Sequence, residues 1–409
     1  MALGLERVGD VFRRLGLAVP PTAITVGGTN GKGSTCAILE CILLQAGYRT
    51  GMYTSPHLLR YNERVRIGGE EATDAVLASC FARVDKARGA TPLTYFEFAT
   101  LGALCAFAEA KIDVAVLEVG LGGRLDAVNV IDADVAIVAS VDIDHVAYLG
   151  TTRDSIGFEK AGIFRHGRPA ICGDPDPPFS LVEHARKVGA ELQVVGREFG
   201  FQRHEGQWDF LGRRGAKRAL PIPSLRGAWQ LRNASCALAA LDELAERLPL
   251  SIGELKRGLA LATIPGRLQV LPGRPSIVLD VAHNPQAARA LADGLGDMGF
   301  FENTFAVFGI LRDKDIGGVI DAMVGERADG TQGPKRVDRW YVATPPSERA
   351  ASASAVAELL AARGLAERTR TFAAVESAFA AARRDAGAND RIVVFGSFYT
   401  VAEALRFAR

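Results

Sequence analysis

The stretch Thr25-Val-Gly-Gly-Thr-Asn-Gly-Lys-Gly-Ser-Thr35 places glycines at 27, 28, 31 and 33 around one lysine and several hydroxyl and amide side chains. A phosphate site needs backbone N–H groups turned toward one point, a lysine for the terminal phosphates and a hydroxyl for Mg²⁺. Thr29, Asn30, Gly31, Lys32, Gly33 and Ser34 supply that set. The spacing departs from G-x-x-x-x-G-K-[ST], because Gly33 separates Lys32 from Ser34 and Val26 stands at the first glycine position. A tight strand-to-helix turn with its lysine in solvent is the competing reading.

Four more places carry groups able to do chemistry. Glu118 ends the apolar run Asp113–Val119, where a carboxylate can hold a divalent cation or simply cap a turn. His145 follows Asp142 and Asp144 after another apolar run; read alone it is a hydrogen-bonded strand-end histidine. Lys160, in Glu159-Lys-Ala-Gly162, reads alone as a solvated helix lysine. Asp280, His283 and Asn284 sit where a later strand meets its helix, with Asn284 equally suited to capping; Arg267 precedes them as a surface cation or phosphate clamp.

The elements that position these groups follow from periodicity. Ala23–Val26 reads as a strand and Ser34–Ala46 as a helix with Ile38, Leu39, Ile42 and Leu43 on its apolar face. The runs Asp113–Val119 and Ala133–Val141 are continuously apolar, as expected of parallel strands covered on both faces. From about 169 to 223 the strands are shorter and more polar, and Asn233–Leu248 reads as a helix. Two proline–glycine breaks, at Thr263–Arg267 and Leu271–Pro275, mark a domain boundary. Strands at Ser276–Val281, Thr304–Ile310, Trp340–Ala343 and Arg391–Phe395 follow, with helices at Ser354–Ala362 and Ala373–Arg383 and a surface loop at 325–336. The expected organisation is an N-terminal nucleotide-binding domain over 1–263, a linker over 264–275 and a C-terminal α/β domain over 276–409.

Length and composition agree with this. A chain of 409 residues exceeds the usual size of one core, and 48 basic against 47 acidic residues give no field that favours nucleic acid or an anionic membrane. The six cysteines form no C-x-x-C pair and read as buried thiols of a reducing compartment. Leu5, Val8, Val11, Phe12 and Leu15 mark an amphipathic helix rather than a leader, and the apolar stretch Phe98–Ala108 is too short to span a bilayer. A cytoplasmic monomer without nucleic-acid or membrane partners is expected.

Together these residues resemble the folylpolyglutamate synthases, within the Mur-ligase-like ATP-dependent amide ligases. Gly28-Thr-Asn-Gly-Lys-Gly-Ser34 resembles the variant phosphate loop of that superfamily, extra glycine included. Ser55-Pro-His-Leu58, Leu117-Glu-Val-Gly-Leu-Gly-Gly-Arg-Leu-Asp126, Asp144-His145, Glu159-Lys-Ala-Gly-Ile163, Pro265-Gly-Arg267, Asp280-Val-Ala-His-Asn-Pro285, Asp313-Lys-Asp315 and Gly396-Ser-Phe-Tyr-Thr-Val-Ala402 continue the likeness in family order. Leu93-Thr-Tyr-Phe-Glu-Phe98 is similar to the pterin-site segment of the family's bifunctional members; an aromatic core segment is its plainer reading.

The resemblance implies a fold and a set of roles. The fold is α/β, a P-loop N-terminal domain with a central parallel sheet and a smaller Rossmann-like C-terminal domain, with ATP between them. Ser34, Ser55, Glu118 and His145 match the magnesium positions, for two ions. Asn233, Arg267 and Asp280 match positions that contact ATP from the far side of the cleft. Lys160 matches a lysine that is carbamylated. Thr94, Tyr95, Phe96 and Glu97 with Leu125, Asp126 and Ala127 match dihydropteroate-binding segments. The implied reaction joins L-glutamate to dihydropteroate and to reduced folates through an acyl phosphate. Lys32 would stabilise the transferring phosphoryl group, and His283 would orient or deprotonate the amine.

The chain opens at Met1 inside a segment that relatives precede with further helix and loop, so part of the pterin pocket is expected from that piece. Phe395 stands where relatives often carry cysteine. A monofunctional folylpolyglutamate synthase, a peptidoglycan-precursor ligase and a nucleotide-gated folate-binding protein remain as alternatives.

Overall fold

The computed structural model of the protein describes residues 4–227, 229–324 and 337–407. The loop expected at 325–336 lies outside them. The chain divides into two compact units, Met1–Ser224 with Trp229–Thr263 and Ile264–Arg409 with Leu225–Ala228.

The first unit runs α1 (Glu6–Leu15), β1 (Thr22–Gly27), α2 (Lys32–Gln45), β2 (Thr50–Tyr53), β3 (Val65–Ile67), β4 (Glu70–Glu71), α3 (Asp74–Arg88) and α4 (Tyr95–Ala110). It continues with β5 (Val114–Glu118), β6 (Val135–Val138), α5 (Val146–Leu149), α6 (Arg153–Ala161), β7 (Pro169–Cys172), α7 (Phe179–Val188) and β8 (Glu191–Val194). It closes with β9 (Gly200–Arg203), β10 (Gln207–Gly212), β11 (Gly215–Pro221), α8 (Trp229–Glu243) and α9 (Ile252–Leu261). Eight strands form one sheet in the order β4-β3-β2-β5-β1-β6-β7-β8, parallel from β2 to β8. Strands β1, β5 and β6 are buried at every residue, which is why their sequences show no alternation. The polar segment after β8 becomes an antiparallel three-stranded sheet, β9-β10-β11.

The register brings four strand ends to one edge. Val26 of β1 pairs with Glu118 of β5, Gly27 with Val138 of β6, and Leu117 with Tyr53 of β2. The segments that follow β2, β5, β1 and β6 therefore leave the sheet side by side. In an open parallel sheet this carboxyl edge is where ligands bind.

The second unit runs β12 (Gln269–Leu271), β13 (Ser276–Leu279), α10 (Pro285–Gly296), β14 (Thr304–Phe308), α11 (Ile316–Val324), β15 (Arg339–Ala343), α12 (Ala353–Ala361), β16 (Thr369–Phe372), α13 (Val375–Asp385), β17 (Arg391–Phe395) and α14 (Phe398–Phe407). Its sheet has the order β12-β13-β17-β14-β15-β16, parallel except for β12. Its core gathers Val278, Phe308, Trp340, Val342, Val393 and Phe395; the Phe395 ring stacks on Phe308 at 4.7 Å.

Two expectations need adjustment. The stretch 264–275 is not a bare linker, because Gln269–Leu271 pairs with β13 as an edge strand. The run Ala133–Val141 stays in the ladder only over Val135–Val138. Ala139 N still donates to the Gly27 carbonyl of β1 at 2.9 Å, and residues 140–142 are held by loops and side chains.

Candidate functional site

The glycine loop lies between β1 and α2, with Gly28 at φ 143° and Gly31 at φ 85°. Both values lie where a side chain is strained. Space enforces the second glycine too: a Cβ at Gly31 would fall 2.5 Å from Asn233 Oδ1. Gly31 is also the N-cap of α2 and offers no side-chain cap to the first-turn N–H groups. An anion above this turn would meet those donors and the positive end of the helix dipole. Lys32 Nζ donates to the Gly28 and Thr29 carbonyls at 3.0 and 3.3 Å, which keeps the ammonium over the loop.

Side chains tie the loop to the end of β6. Thr29 Oγ1 donates to Asp142 O at 2.9 Å and accepts from Asp142 N at 3.0 Å. Ser140 Oγ accepts from Asn30 N at 2.9 Å and donates to Asn30 O at 3.1 Å. Asn233 corrects an expectation, since it belongs to the first unit beside this loop rather than to the far side of a cleft. It donates to Gln230 Oε1 at 3.0 Å, and Gln230 reaches the Ser34 hydroxyl at 3.4 Å.

The metal candidates leave the same edge. Glu118 is 4 % exposed, and its Oε2 accepts from the Ser55 N–H at 3.0 Å. His145 is exposed, with a left-handed φ of 52°, and its Nε2 lies 3.9 Å from Asp144 Oδ2. A carboxylate, two serine hydroxyls and an imidazole are hard-to-borderline donors that suit Mg²⁺ or Mn²⁺. Among the described residues, only Cys80, Cys105 and Glu109 bring three His, Cys, Asp or Glu ligand atoms within 4.8 Å of one another, and Arg83 already pairs with that glutamate. Glu118, His145 and the two serines offer fewer donors than an octahedral Mg²⁺ takes. They fit an ion that completes its sphere with phosphate oxygens and water, as Mg²⁺ does beside nucleotides.

Lys160 is not a solvated helix lysine. It is 3 % exposed, and burial together with the Lys32 charge pushes its pKa down to about 7, against the pull of Asp144. Glycines draw its turn against the loop after β5: a Cβ at Gly123 would meet the Lys160 carbonyl at 3.0 Å, and one at Gly162 would strike Arg124 Cβ at 2.3 Å.

The pterin-like segments come together nearby in this unit. Thr94 and Glu97 form a capping box on α4, and Glu97 also pairs with Arg7 of α1 at 2.9 Å. Their polar atoms are engaged, and of the aromatic residues between them Tyr95 is exposed while Phe96 is half-buried. Phe96 packs over Gly120, where a Cβ would fall 2.5 Å from its ring, and lies 5.9 Å from Tyr53. Asp126, between Leu125 and Ala127, accepts from Leu121 N and Val128 N at 2.8 and 3.0 Å. Burial raises its pKa to about 6 despite those bonds.

Arg64 was not singled out from the sequence. It is 8 % exposed, lies 5.6 and 5.5 Å from the Tyr61 and Tyr95 ring centres, and donates from Nε to His57 Nδ1 at 2.8 Å. Burial and this guanidinium hold the imidazole toward its neutral form. The Tyr61 hydroxyl beside it is buried without a hydrogen-bond partner among the described residues. A guanidinium on two aromatic faces suits a planar anion such as a carboxylate.

In the second unit the carboxyl edge carries the remaining candidates. Asp280 accepts from Leu268 N and Ala282 N at 2.7 and 2.8 Å, and burial raises its pKa against the opposing Arg267 charge. Arg267 lies over the Phe398 ring at 5.3 Å. His283 Nδ1 sits 2.8 Å from the Val281 carbonyl. Asn284 caps α10 through Ala287 N at 2.9 Å, with Pro285 in the first turn.

Residues 26–191 match the family described as Mur ligase middle domain, and residues 266–398 match Mur ligase, glutamate ligase domain. The chain is 44 % identical over 404 residues to the dihydrofolate synthase/folylpolyglutamate synthase of Escherichia coli (strain K12), covering 98 % of this chain and 90 % of that one. The structure of E. coli FolC in complex with DHPP and ADP superposes with a TM-score of 0.92 at 43 % identity, covering 100 % and 93 % of the two chains. A bifunctional folylpolyglutamate synthase/dihydrofolate synthase with Mn, AMPPNP and L-glutamate bound gives 0.90 at 45 %, covering 100 % and 94 %.

Proposed function

The chain belongs to the Mur ligase family, in its dihydrofolate synthase/folylpolyglutamate synthase branch, and from that premise we propose an ATP-dependent ligase that adds L-glutamate to dihydropteroate and to reduced folates. The observation that carries this reading is the shared edge of the first unit. There the glycine loop, Glu118, Ser55 and the His145 loop leave adjacent strands.

Amide formation from a carboxylate needs a leaving group. The substrate carboxylate attacks the γ-phosphorus of ATP, giving an acyl phosphate and ADP. The amine of glutamate then attacks the acyl carbon, and phosphate leaves with the C–O bonding pair. The amine loses a proton in this step. Mg²⁺, held by Ser34, Ser55, Glu118 and His145, would neutralise charge on the phosphates. The α2 amides and Lys32 bind the transferring phosphoryl group. Asn233 sits over the loop, and Arg267 and Asp280 are assigned to nucleotide binding. Arg64 and His57 receive a carboxylate of the acid substrate, with Tyr95, Phe96 and Leu125–Ala127 around its ring system. His283 orients the incoming amine or accepts its proton through Nε2.

Lys160 fits a carbamate. An amine with a pKa near 7 is largely neutral at physiological pH and can add CO₂ with loss of one proton. The product carries negative charge, which suits a place beside Lys32 and a divalent cation better than an ammonium does.

Product mass spectrometry with ATP, Mg²⁺ and L-glutamate tests the reading, offering dihydropteroate and a reduced folate monoglutamate separately. Dihydrofolate from the first and extended folates from the second are expected. Extension of folate alone would reduce the assignment to a monofunctional folylpolyglutamate synthase, and no product from either would overturn it.

A further inference from the structure

The β6 ladder ends at Val138, yet the next residues are held as firmly as a strand. Ser140 O accepts from Thr29 N at 2.9 Å, and Asp142 exchanges both backbone groups with the Thr29 hydroxyl. Those bonds pin the segment from the phosphate-loop side. On the other flank Val141 N donates to Asp174 Oδ2 at 3.1 Å, and Val141 O accepts from Arg153 Nε at 3.2 Å. Arg153 Nη2 donates to the same Asp174 oxygen at 2.9 Å, so acid and guanidinium close one ring around Val141. Asp174 is 7 % exposed, and its second oxygen accepts from Asp176 N at 3.1 Å.

His145 lies four residues beyond Val141, in a left-handed conformation that a β-carbon disfavours. Such a residue persists only where both flanks over-determine it. Its carbonyl accepts from Tyr148 N and Leu149 N at 2.9 and 3.1 Å, which fixes the far flank. On the near flank His145 N donates to Asp144 Oδ1 at 2.7 Å, Asp142 is held by the Thr29 hydroxyl, and the ring around Val141 anchors the segment behind them. We propose that Asp174, backed by Arg153, is a positioning residue that presents His145 to the divalent ion. The inference rests on the metal reading of His145 above, and it assigns Asp174 no contact with ion or substrate.

The test is Mn²⁺ binding, followed by electron paramagnetic resonance with a non-hydrolysable ATP analogue present, so that no turnover is needed. Asp174→Asn removes the charge that holds Arg153, and should weaken Mn²⁺ by about 10-fold, the usual effect of losing a partner that orients a ligand. His145→Ala should weaken it by at least as much. In the double variant the two effects should not add, because removal of His145 leaves Asp174 nothing to position. A merely structural role would instead give additive losses. Arg153→Gln, at a half-exposed side chain, should shift Mn²⁺ affinity the same way by a smaller factor and remains informative if Asp174→Asn does not fold.

Normal Mn²⁺ affinity in Asp174→Asn or Arg153→Gln, with His145→Ala impaired, overturns the positioning role and leaves the metal reading intact. Full additivity in the double variant overturns it equally. Normal affinity in His145→Ala overturns the metal reading, and this inference with it.

Discussion

The Ser55 N–H and Glu118 Oε2 lie 3.0 Å apart, so the segment after β2 is fixed by the carboxylate that ends β5. The ion-binding role proposed for Glu118 thus falls on a residue that already makes a structural bond. Glu118→Gln separates them, because an amide oxygen still accepts from Ser55 while the charge is gone. We expect glutamate ligation to fall ~100-fold or more with the melting temperature little changed. An active variant would remove Glu118 from the metal site.

Gly31→Ala places a methyl at φ 85°, 2.5 Å from Asn233 Oδ1. A cost of roughly 1–3 kcal/mol in stability is expected. Calorimetric titration with an ATP analogue should show affinity reduced by about 10-fold, which at about 1.4 kcal/mol per decade is within that cost. Unchanged affinity would mean that the loop is not held against α8 as described.

Lys160 titrates near 7, so CO₂ uptake should fall as pH drops through that value. Carbon-13 bicarbonate should give a carbamate resonance at pH ~8 that fades toward pH ~6 and is absent in Lys160→Ala. The same shift bears on stability. Between pH 7 and the ordinary 10.5 the unfolded chain holds a proton that the folded chain has lost, so this residue's contribution rises with pH across that window.

Asp126 has its pKa raised to about 6. Above it the carboxylate can accept N–H groups of a pterin ring; below it the proton blocks that role. Affinity for dihydropteroate should decline as pH falls from ~8 to ~5, while affinity for the ATP analogue should not follow the same curve. Parallel loss of both ligands would point to a general unfolding instead. The stability sign is opposite to that of Lys160: between pH 3.8 and about 6 the folded chain keeps a proton the unfolded chain has released, so the contribution of Asp126 falls as pH rises.

Arg64→Met keeps the bulk between Tyr61 and Tyr95 but removes the cation. KM for the acid substrate should rise about 10-fold, the worth of one charge-assisted hydrogen bond, and KM for ATP should hold. Steady-state kinetics with each substrate varied in turn decides it, and a change confined to ATP would refute the assignment.

Much of the first unit was legible because its signals are local. The glycine spacing, the unbroken apolar strands and the carboxylate at 118 each show within a short window. What stayed hidden depends on distant partners. Ser140 and Val141 read as strand by composition, but their bonds come from Thr29, Asn30, Asp174 and Arg153. Gln269–Leu271 is masked by flanking proline–glycine breaks and becomes a strand only against β13. The burial of Lys160 and of Arg64 is a tertiary property, and helix spacing alone makes the first a surface residue. Thr94 and Glu97 carried a capping signature in plain view, three residues apart, which the likeness to a pterin segment overshadowed.

The position of β17 has a consequence for how the protein is made. In the second unit the last strand among the described residues lies at the centre of the sheet, between β13 and β14, whereas in the first unit the central β1 precedes every strand it is sheeted with. The first unit can begin pairing early in synthesis. The second must keep the apolar edges of β13 and β14 open until residues 391–395 emerge, more than a hundred positions after β13. A ribosome that stalls or a frameshift before residue 391 would release a chain with a finished first unit and an unsealed second sheet, the kind of exposed edge on which chaperones and proteases act.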